Sequence, residues 1–563
     1  MIAPLLRKYP VRHLGFGLAC LLASAGTPLA QASPSKVTFS QASPTVEAYD
    51  LIEITATIAA PDAKNPFTDA TLVGTFSKSD GSDKEEVTGF CDSEGGGVFR
   101  IRFMPSSPGD YSYSLEYKQG SFGATQSGTF HASDGHRSGP IRVDPKFPWH
   151  FIWEGTGTHY FFNGTTAYFL VGWSDENIIR YSIDRLHRLK VNRLRVTIAG
   201  REDLLFGEPV MMDENFTMYP TPWPAQHATQ MLNPGFDYSR FYLEYWRKFE
   251  RMLLYARDRD MIISLVLDMN DNKVHPAAGS EDELRYIRYA VARFGAYSNI
   301  TWDMGDDLDR MRSDEWTHDT GTFVKKLDPY KHLATSHPVV DTHQDRTSEW
   351  FDFCSFQDWN RTQHAYMLKQ RAAQEKLGRI IPLTNEEYGY EDHYPLWAPQ
   401  PDGESADTLR RCAWDIYMAG GYQTAGESAK RGTNVWPDTG GGWLNGRGDD
   451  TQTMFIGYGH IMEFFTSFDW WKTNPHDELV TGGAYCLAEP GKIYAIYLPN
   501  KIITAPQDRQ STTVHLGSGN YSARWFNAVT GDSIPLPDAK GPDWKSPSAP
   551  DWSDWAILLL RQD

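Results

Sequence analysis

The sequence predicts a multidomain chain: a central (β/α)8 TIM barrel flanked by an N-terminal Ig-like β-sandwich and a C-terminal β-sandwich. Three observations carry that expectation. At 563 residues the chain is long enough for about three or four domains. Its middle alternates short apolar runs with helix-length amphipathic stretches, the pattern of βα units. Its two ends instead show period-2 alternation broken by frequent turn residues, the pattern of antiparallel sandwiches. Apolar residues make up 40% and charged residues 22%, which supports packed cores and excludes a chain disordered throughout.

Residues 1–32 read as a cleaved signal peptide. Arg7, Lys8 and Arg12 give a positive start, 14–26 is apolar but too short to span a bilayer, and Ala30-Gln31-Ala32 offers small residues for cleavage. The expected location is therefore secreted or periplasmic, without membrane insertion. Residues 33–135 carry the first sandwich, with alternating runs at 52–58, 99–103 and 111–115 and turn signals at Ser79-Asp80-Gly81 and Ser107-Pro108-Gly109-Asp110.

The barrel is expected over 139–470, with strands at 168–173, 192–198, 261–268, 299–304, 332–337, 351–356, 380–384 and 421–425. Helices are expected between them, among others over 183–189, 242–257, 282–294 and 408–418. An open doubly wound sheet would want a Gly-rich turn after the first strand, and Gly172-Trp173-Ser174-Asp175 is not one. Residues 478–563 return to short strands, at 492–498, 521–526 and 555–560.

Composition narrows the partners. There are 54 Lys+Arg against 72 Asp+Glu, a net charge of −18, which argues against nucleic acid. Aromatics reach 13%, which suits stacking on sugar rings and equally suits a large aromatic core. The four cysteines beyond residue 32 are far apart, with no C-x-x-C pair, so buried thiols are expected rather than a zinc site or a disulfide framework. No H-E-x-x-H or H-x-x-E-H pattern occurs.

Barrel chemistry belongs at the C-terminal ends of strands. The fourth expected strand runs into Asp303-Met304-Gly305-Asp306-Asp307, and the seventh into Asn385-Glu386-Glu387-Tyr388-Gly389-Tyr390-Glu391. Carboxylates from two strands at one mouth are what glycosidic cleavage needs: one gives a proton to the leaving oxygen, and the other attacks the anomeric carbon or activates water. Alternatively, the acidic run at 306–309 caps a helix or holds a cation.

The run at 299–307 (NITWDMGDD) resembles the fourth-strand motif of apiosidase-like glycoside hydrolases, and 385–391 (NEEYGYE) resembles their seventh-strand pattern, Glu-x-x-Tyr-Glu. The resemblance extends over nearly the whole mature chain: a sandwich of unknown function in front and a module labelled collagen-binding behind. It implies a retaining mechanism with Asp307 as acid/base and Glu387 as nucleophile, with Glu386 the competing register. The larger retaining clan usually ends its fourth strand in Asn-Glu, where this chain has Asp-Asp.

The same strand-end geometry offers Arg195, His337, Gln357, Tyr390 and Trp173 as substrate-binding residues, and Trp436 in the Gly-rich loop after strand eight. Arg201, Trp359, Trp443 and Glu427 are weaker candidates. A carbohydrate is the expected partner; no organic cofactor is implied, and the chemistry needs no metal. The rival reading is a non-catalytic carbohydrate-binding or adhesive protein on the same barrel. Sugar identity, linkage, anomer, endo or exo action and oligomeric state stay open.

Overall fold

A computed structural model describes residues 36–200, 215–219, 221–230, 233–269, 275–391, 404–427, 441–448, 450, 453–499 and 509–562. The expected leader at 1–32, Arg201 and Trp436 lie outside the described residues.

Eight parallel strands form the centre: β1 (Asn163–Thr166), β2 (Arg193–Thr197), β3 (Ile262–Val266), β4 (Ile300–Asp306), β5 (Ala334–His337), β6 (Cys354–Gln357), β7 (Leu383–Glu387) and β8 (Tyr422–Thr424). They are ordered β5-β4-β3-β2-β1-β8-β7-β6. The two ends of that order meet without a ladder. Closure comes from Asp352 N donating to Ala334 O at 2.8 Å and Thr335 Oγ1 donating to Phe353 O at 2.7 Å. Among the described residues the longer helices are α1 (Glu176–Arg188), α2 (Leu243–Arg257), α3 (Glu281–Phe294), α4 (Asp314–Leu327), α5 (Gln363–Lys376), α6 (Ala406–Met418) and α7 (Met454–Phe465).

Local chemistry starts these helices where the sequence permits. Asp175, Ser280, Ser313 and Ser405 sit in extended conformation at the N-caps of α1, α3, α4 and α6, each accepting from a backbone N–H of the first turn. Glu283 of α3 reaches back to accept from Gly279 N at 2.6 Å, so both ends of a capping arrangement are present.

The first strand differs from expectation. The apolar run at 168–173 is not a strand; Leu170–Gly172 is a 3-10 turn, and β1 is the polar stretch Asn163–Thr166 just before it. The reason lies in the lumen, which is polar. Asn163 accepts from Gln423 Nε2 at 2.6 Å and donates to Lys190 O. Gly164 is there for space, because a Cβ would sit 2.4 Å from Thr424 Oγ1. A strand facing such an interior has no need of apolar residues. The seventh strand is also shifted, from 380–384 to Leu383–Glu387, which carries the two glutamates into the sheet itself.

Residues 36–133 form two packed sheets. One pairs Lys36–Gln41, Ile52–Ala59, Val98–Phe103 and Phe90–Cys91; the other pairs Thr45–Glu47, Phe122–Ser133, Gly109–Gln119, Ala70–Lys78 and Glu85–Thr88. Phe76 and Phe103 stack at 4.5 Å between them. Near the C-terminus a six-stranded sheet (Asn474–Pro475, Tyr485–Glu489, Ile493–Leu498, Trp555–Arg561, Asn520–Asn527, Ser533–Lys540) is accompanied by the pair Thr513–His515 and Asp543–Lys545. Cys91, Cys354, Cys412 and Cys486 are all free and buried, in line with the thiol expectation.

Both sheet modules are bound to the barrel by buried charge. Glu250 of α2 accepts from Arg102 of the N-terminal module at 2.5 Å and from Arg293 of α3 at 2.6 Å, and Arg293 also meets Asp92 at 3.0 Å. On the other side, Arg410 of α6 meets Asp554 at 2.6 Å, and Trp414 stacks on Tyr497 at 4.8 Å. Among the described residues, no helix is long and apolar enough to cross a membrane.

Candidate active site

Two β-bulges build the site. In a regular strand, alternate residues share a face, so residues three apart point to opposite sides. Between β4 and β5 the register passes from Asp303↔Thr335 to Asp306↔His337, three residues against two. That extra residue brings Asp303 and Asp306 to the same face, where one guanidinium meets both: Arg195 Nη2 lies 2.9 Å from Asp303 Oδ2 and 3.0 Å from Asp306 Oδ1. Between β6 and β7 the register passes from Phe356↔Asn385 to Gln357↔Glu387, and Glu386 is the residue left over. Both strands that supply carboxylates are thus re-aimed at their C-terminal ends.

The bulge separates the two glutamates by environment. Glu386 is fully buried within the lumen, accepting from Arg193 Nη1 at 2.6 Å and from Thr384 Oγ1 at 3.0 Å, with Arg195 Nε 3.9 Å away. Burial pushes its pKa up, but Arg193 and Arg195 outweigh that and hold it below the usual glutamate range. Glu387 lies instead beside Asp306, Asp307 and His337, and donor atoms of these four side chains all fall within 4.8 Å of one another. Burial first, then the charges of Asp306 and Asp307, push the Glu387 carboxyl up to about 8.

Asp307 sits just past β4 in the left-handed region at φ 51°, a conformation that aspartate tolerates better than most residues. Its Oδ2 meets Arg310 at 2.9 Å, and its Oδ1 is buried without a hydrogen-bond partner among the described residues. Burial and the adjacent Asp306 push its carboxyl up to about 6. Asp306 goes the other way. Burial opposes its charge, yet Arg195, His337 at 2.9 Å and the Tyr168 hydroxyl, which donates at 2.9 Å, hold it ionised well below the usual range. Three carboxyl groups side by side therefore divide into one fixed anion and a pair that resists losing its last proton.

Residues 152–426 match the apiosidase-like catalytic domain, and residues 45–118 match a domain of unknown function, DUF5060. The barrel is an apiosidase-like catalytic domain. No curated protein matches the chain. The fold is shared with a crystal structure from Bacteroides vulgatus ATCC 8482, provisionally named a glycoside hydrolase. That likeness has 19% identity and a TM-score of 0.72, covering 92% of this chain and 100% of that one. A glycoside hydrolase family 5 structure from the same organism aligns at 14% identity and TM-score 0.57, over 75% of this chain and 93% of that one. A third, named only as a glycoside hydrolase, aligns at 15% identity and TM-score 0.56, over 76% and 98%. At such identities the likeness is one of fold.

Within the apiosidase-like barrel, the expected binding residues fall into two groups. Arg195 and His337 reach the carboxyl cluster through Asp306. Gln357 ends β6 beside Glu387, with its Oε1 buried and unpartnered among the described residues. Tyr390 packs between Trp359 at 5.6 Å and Trp443 at 5.2 Å, and its hydroxyl is held protonated by burial and by the charge of Glu387.

Trp173 belongs elsewhere. It does not end the first strand; its indole is 4% exposed, packs on Phe216 at 4.9 Å, and donates its N–H to Asn445 O at 2.7 Å. The expectation of a sugar platform there gives way to packing. Glu427 is likewise occupied, by the guanidinium of Arg185.

Sequence reasoning missed Tyr168. It accepts from Arg195 Nη1 at 2.9 Å and donates to Asp306, joining the two. The signal was hidden because the residue was read as the start of a buried strand. Asp303 was passed over as an internal strand residue, although it lies in the lumen opposite Arg195.

Proposed function

We propose that this chain is a secreted or periplasmic glycoside hydrolase that cleaves a glycosidic bond in a polysaccharide or oligosaccharide by a retaining double displacement. Asp307 serves as acid/base and Glu387 as nucleophile. The observation that carries this reading is the closeness of Asp307 and Glu387, whose donor oxygens lie within 4.8 Å of each other on the rim of one barrel. Retaining enzymes hold their two carboxyl groups about 5–5.5 Å apart, whereas inverting ones leave about 6.5–9.5 Å for a water.

Between about 6 and about 8 the pair shares one proton, which rests mainly on Glu387, the member pushed higher; the reactive form is the minor arrangement in which the proton has passed to Asp307 and Glu387 is ionised. Asp307 then gives that proton to the leaving oxygen as a Glu387 oxygen attacks the anomeric carbon. The glycosidic C–O bond breaks, and a glycosyl ester forms on Glu387. In the second half Asp307, now ionised, takes a proton from water. That water attacks the same carbon, releasing the sugar and restoring both carboxyl groups. Asp306 stays an anion throughout, held by Arg195, Tyr168 and His337, and its charge helps keep one proton on the Asp307–Glu387 pair.

The test is hydrolysis of a panel of plant and algal glycans by wild type, Asp307→Asn and Glu387→Gln. Wild type should release reducing sugar from at least one glycan. Asp307→Asn should lose about 10²–10⁴-fold in kcat on substrates with poor leaving groups, and Glu387→Gln should lose the covalent route. Activity that survives both substitutions would dismiss the assignment.

A further inference from the structure

Asp306 and Asp307 at the end of β4, His337 at the end of β5 and Glu387 at the end of β7 each offer one donor atom, and all four atoms lie within 4.8 Å of one another. Around a zinc ion with bonds of about 2.0–2.2 Å the ligand atoms lie at most about 4.4 Å apart, so a small inward movement of these side chains closes the set on one cation. Acidic clusters alone are common. This one differs in the state of the atoms inside it.

His337 is fully buried; its Nδ1 meets Asp306 at 2.9 Å, and its Nε2 has no hydrogen-bond partner among the described residues. Asp307 Oδ1 is also buried and unpartnered. Buried polar atoms are nearly always satisfied, so two such side chains converging on one point mark a place for a ligand. The surround is rigid as well. Arg195 and Tyr168 fix Asp306, which fixes the approach to His337, in the way outer partners orient metal ligands.

We propose that this cluster binds one divalent transition-metal cation of the zinc type, through Asp307, His337 and Glu387 with Asp306 completing the set, and that the bound cation silences the enzyme. An imidazole among carboxylates suits zinc; magnesium and calcium prefer six or more oxygen ligands, waters included. A cation here takes a lone pair from each carboxylate of the proposed catalytic pair. Asp307 then cannot carry the proton for the leaving oxygen, and the Glu387 oxygen is no longer free to attack. The silencing rests on the hydrolase reading above; the binding does not.

The experiment is calorimetric titration of the chelator-stripped full chain with zinc chloride, with magnesium chloride as the control, alongside thermal unfolding with and without zinc. Wild type should bind one zinc per chain and no magnesium at equal concentration, and zinc should raise its Tm. His337→Gln, His337→Ala and Glu387→Gln should each weaken zinc binding at least about tenfold and lose the Tm rise. Unfolding of the metal-free variants shows whether each is folded, and the conservative His337→Gln guards against a fold effect.

Absence of one-to-one binding, or binding that survives all three substitutions in folded protein, would overturn the site. On any glycan that wild type hydrolyses, zinc should inhibit saturably and a chelator should restore the rate; stimulation by zinc would overturn the silencing. A chain that binds zinc as described yet hydrolyses no glycan would keep the site and remove the hydrolase reading.

Discussion

At the scale of single residues, the site depends on unequal treatment of three neighbouring carboxyl groups. Asp306 is clamped as an anion, and its charge acts on Asp307 and Glu387. A bell-shaped pH dependence of kcat/KM follows, with limbs near 6 and 8: below the lower limb both groups of the pair carry protons, and above the upper limb neither does. In Asp306→Asn a negative neighbour is gone, both members of the pair ionise more readily, and the alkaline limb moves to lower pH. An unmoved limb in the pH–rate profile would count against that role for Asp306.

Stability carries the same signature with its own sign. The folded-state pKa of Glu387 is raised from 4.5 to about 8, so its contribution to stability is intact below about 4.5 and is lost as pH rises through 8. Glu387→Gln removes a charge that the fold resists. Its Tm should equal or exceed that of wild type, by a margin that widens between pH 5 and pH 8, as measured by calorimetry across that range.

At the scale of elements, the decisive features are the bulges at the ends of β4 and β7. Sequence spacing located both strands and both acidic clusters, because buried βα units leave a strong alternating pattern. It left Glu386 and Glu387 as competing registers, because a one-residue bulge leaves no mark in composition or periodicity. The bulge separates the two, sending Glu386 to Arg193 in the lumen and Glu387 to the cluster of Asp306, Asp307 and His337. The first strand was misplaced for a related reason: apolar runs signal strands only when both faces meet apolar neighbours, and β1 faces a lumen lined by Gln423, Thr424 and Arg193.

That charged lumen makes a prediction of its own. Glu386→Ala would leave the fully buried Arg193 without its carboxylate, at a cost of about 3–5 kcal/mol in unfolding free energy. A chemical-denaturation loss below about 1 kcal/mol would show that the pair is not a structural strut.

At the scale of the whole molecule, the flanking modules are joined to the barrel through buried ion pairs rather than through tethers alone. Arg102 and Arg293 converge on Glu250 across the N-terminal interface, and Arg410 meets Asp554 across the C-terminal one. Glu250→Ala removes the carboxylate shared by two buried guanidiniums and leaves Arg102 with Glu53 and Arg293 with Asp92, so a loss of at most about 3–5 kcal/mol is expected, with the N-terminal module and the barrel unfolding as separate steps in calorimetry. A single transition at the wild-type temperature would contradict the coupling. In the proposed mechanism this architecture holds one oxygen pair, from Asp307 and Glu387, in register. The most direct test takes the sugar released by the glycan panel, prepares its 2-deoxy-2-fluoro glycoside with an activated leaving group, and measures the full chain by mass spectrometry after incubation. A single added glycosyl mass that peptide mapping places on Glu387 is the predicted result; an adduct on Glu386, or turnover without any adduct and with inversion at the anomeric carbon, would contradict it.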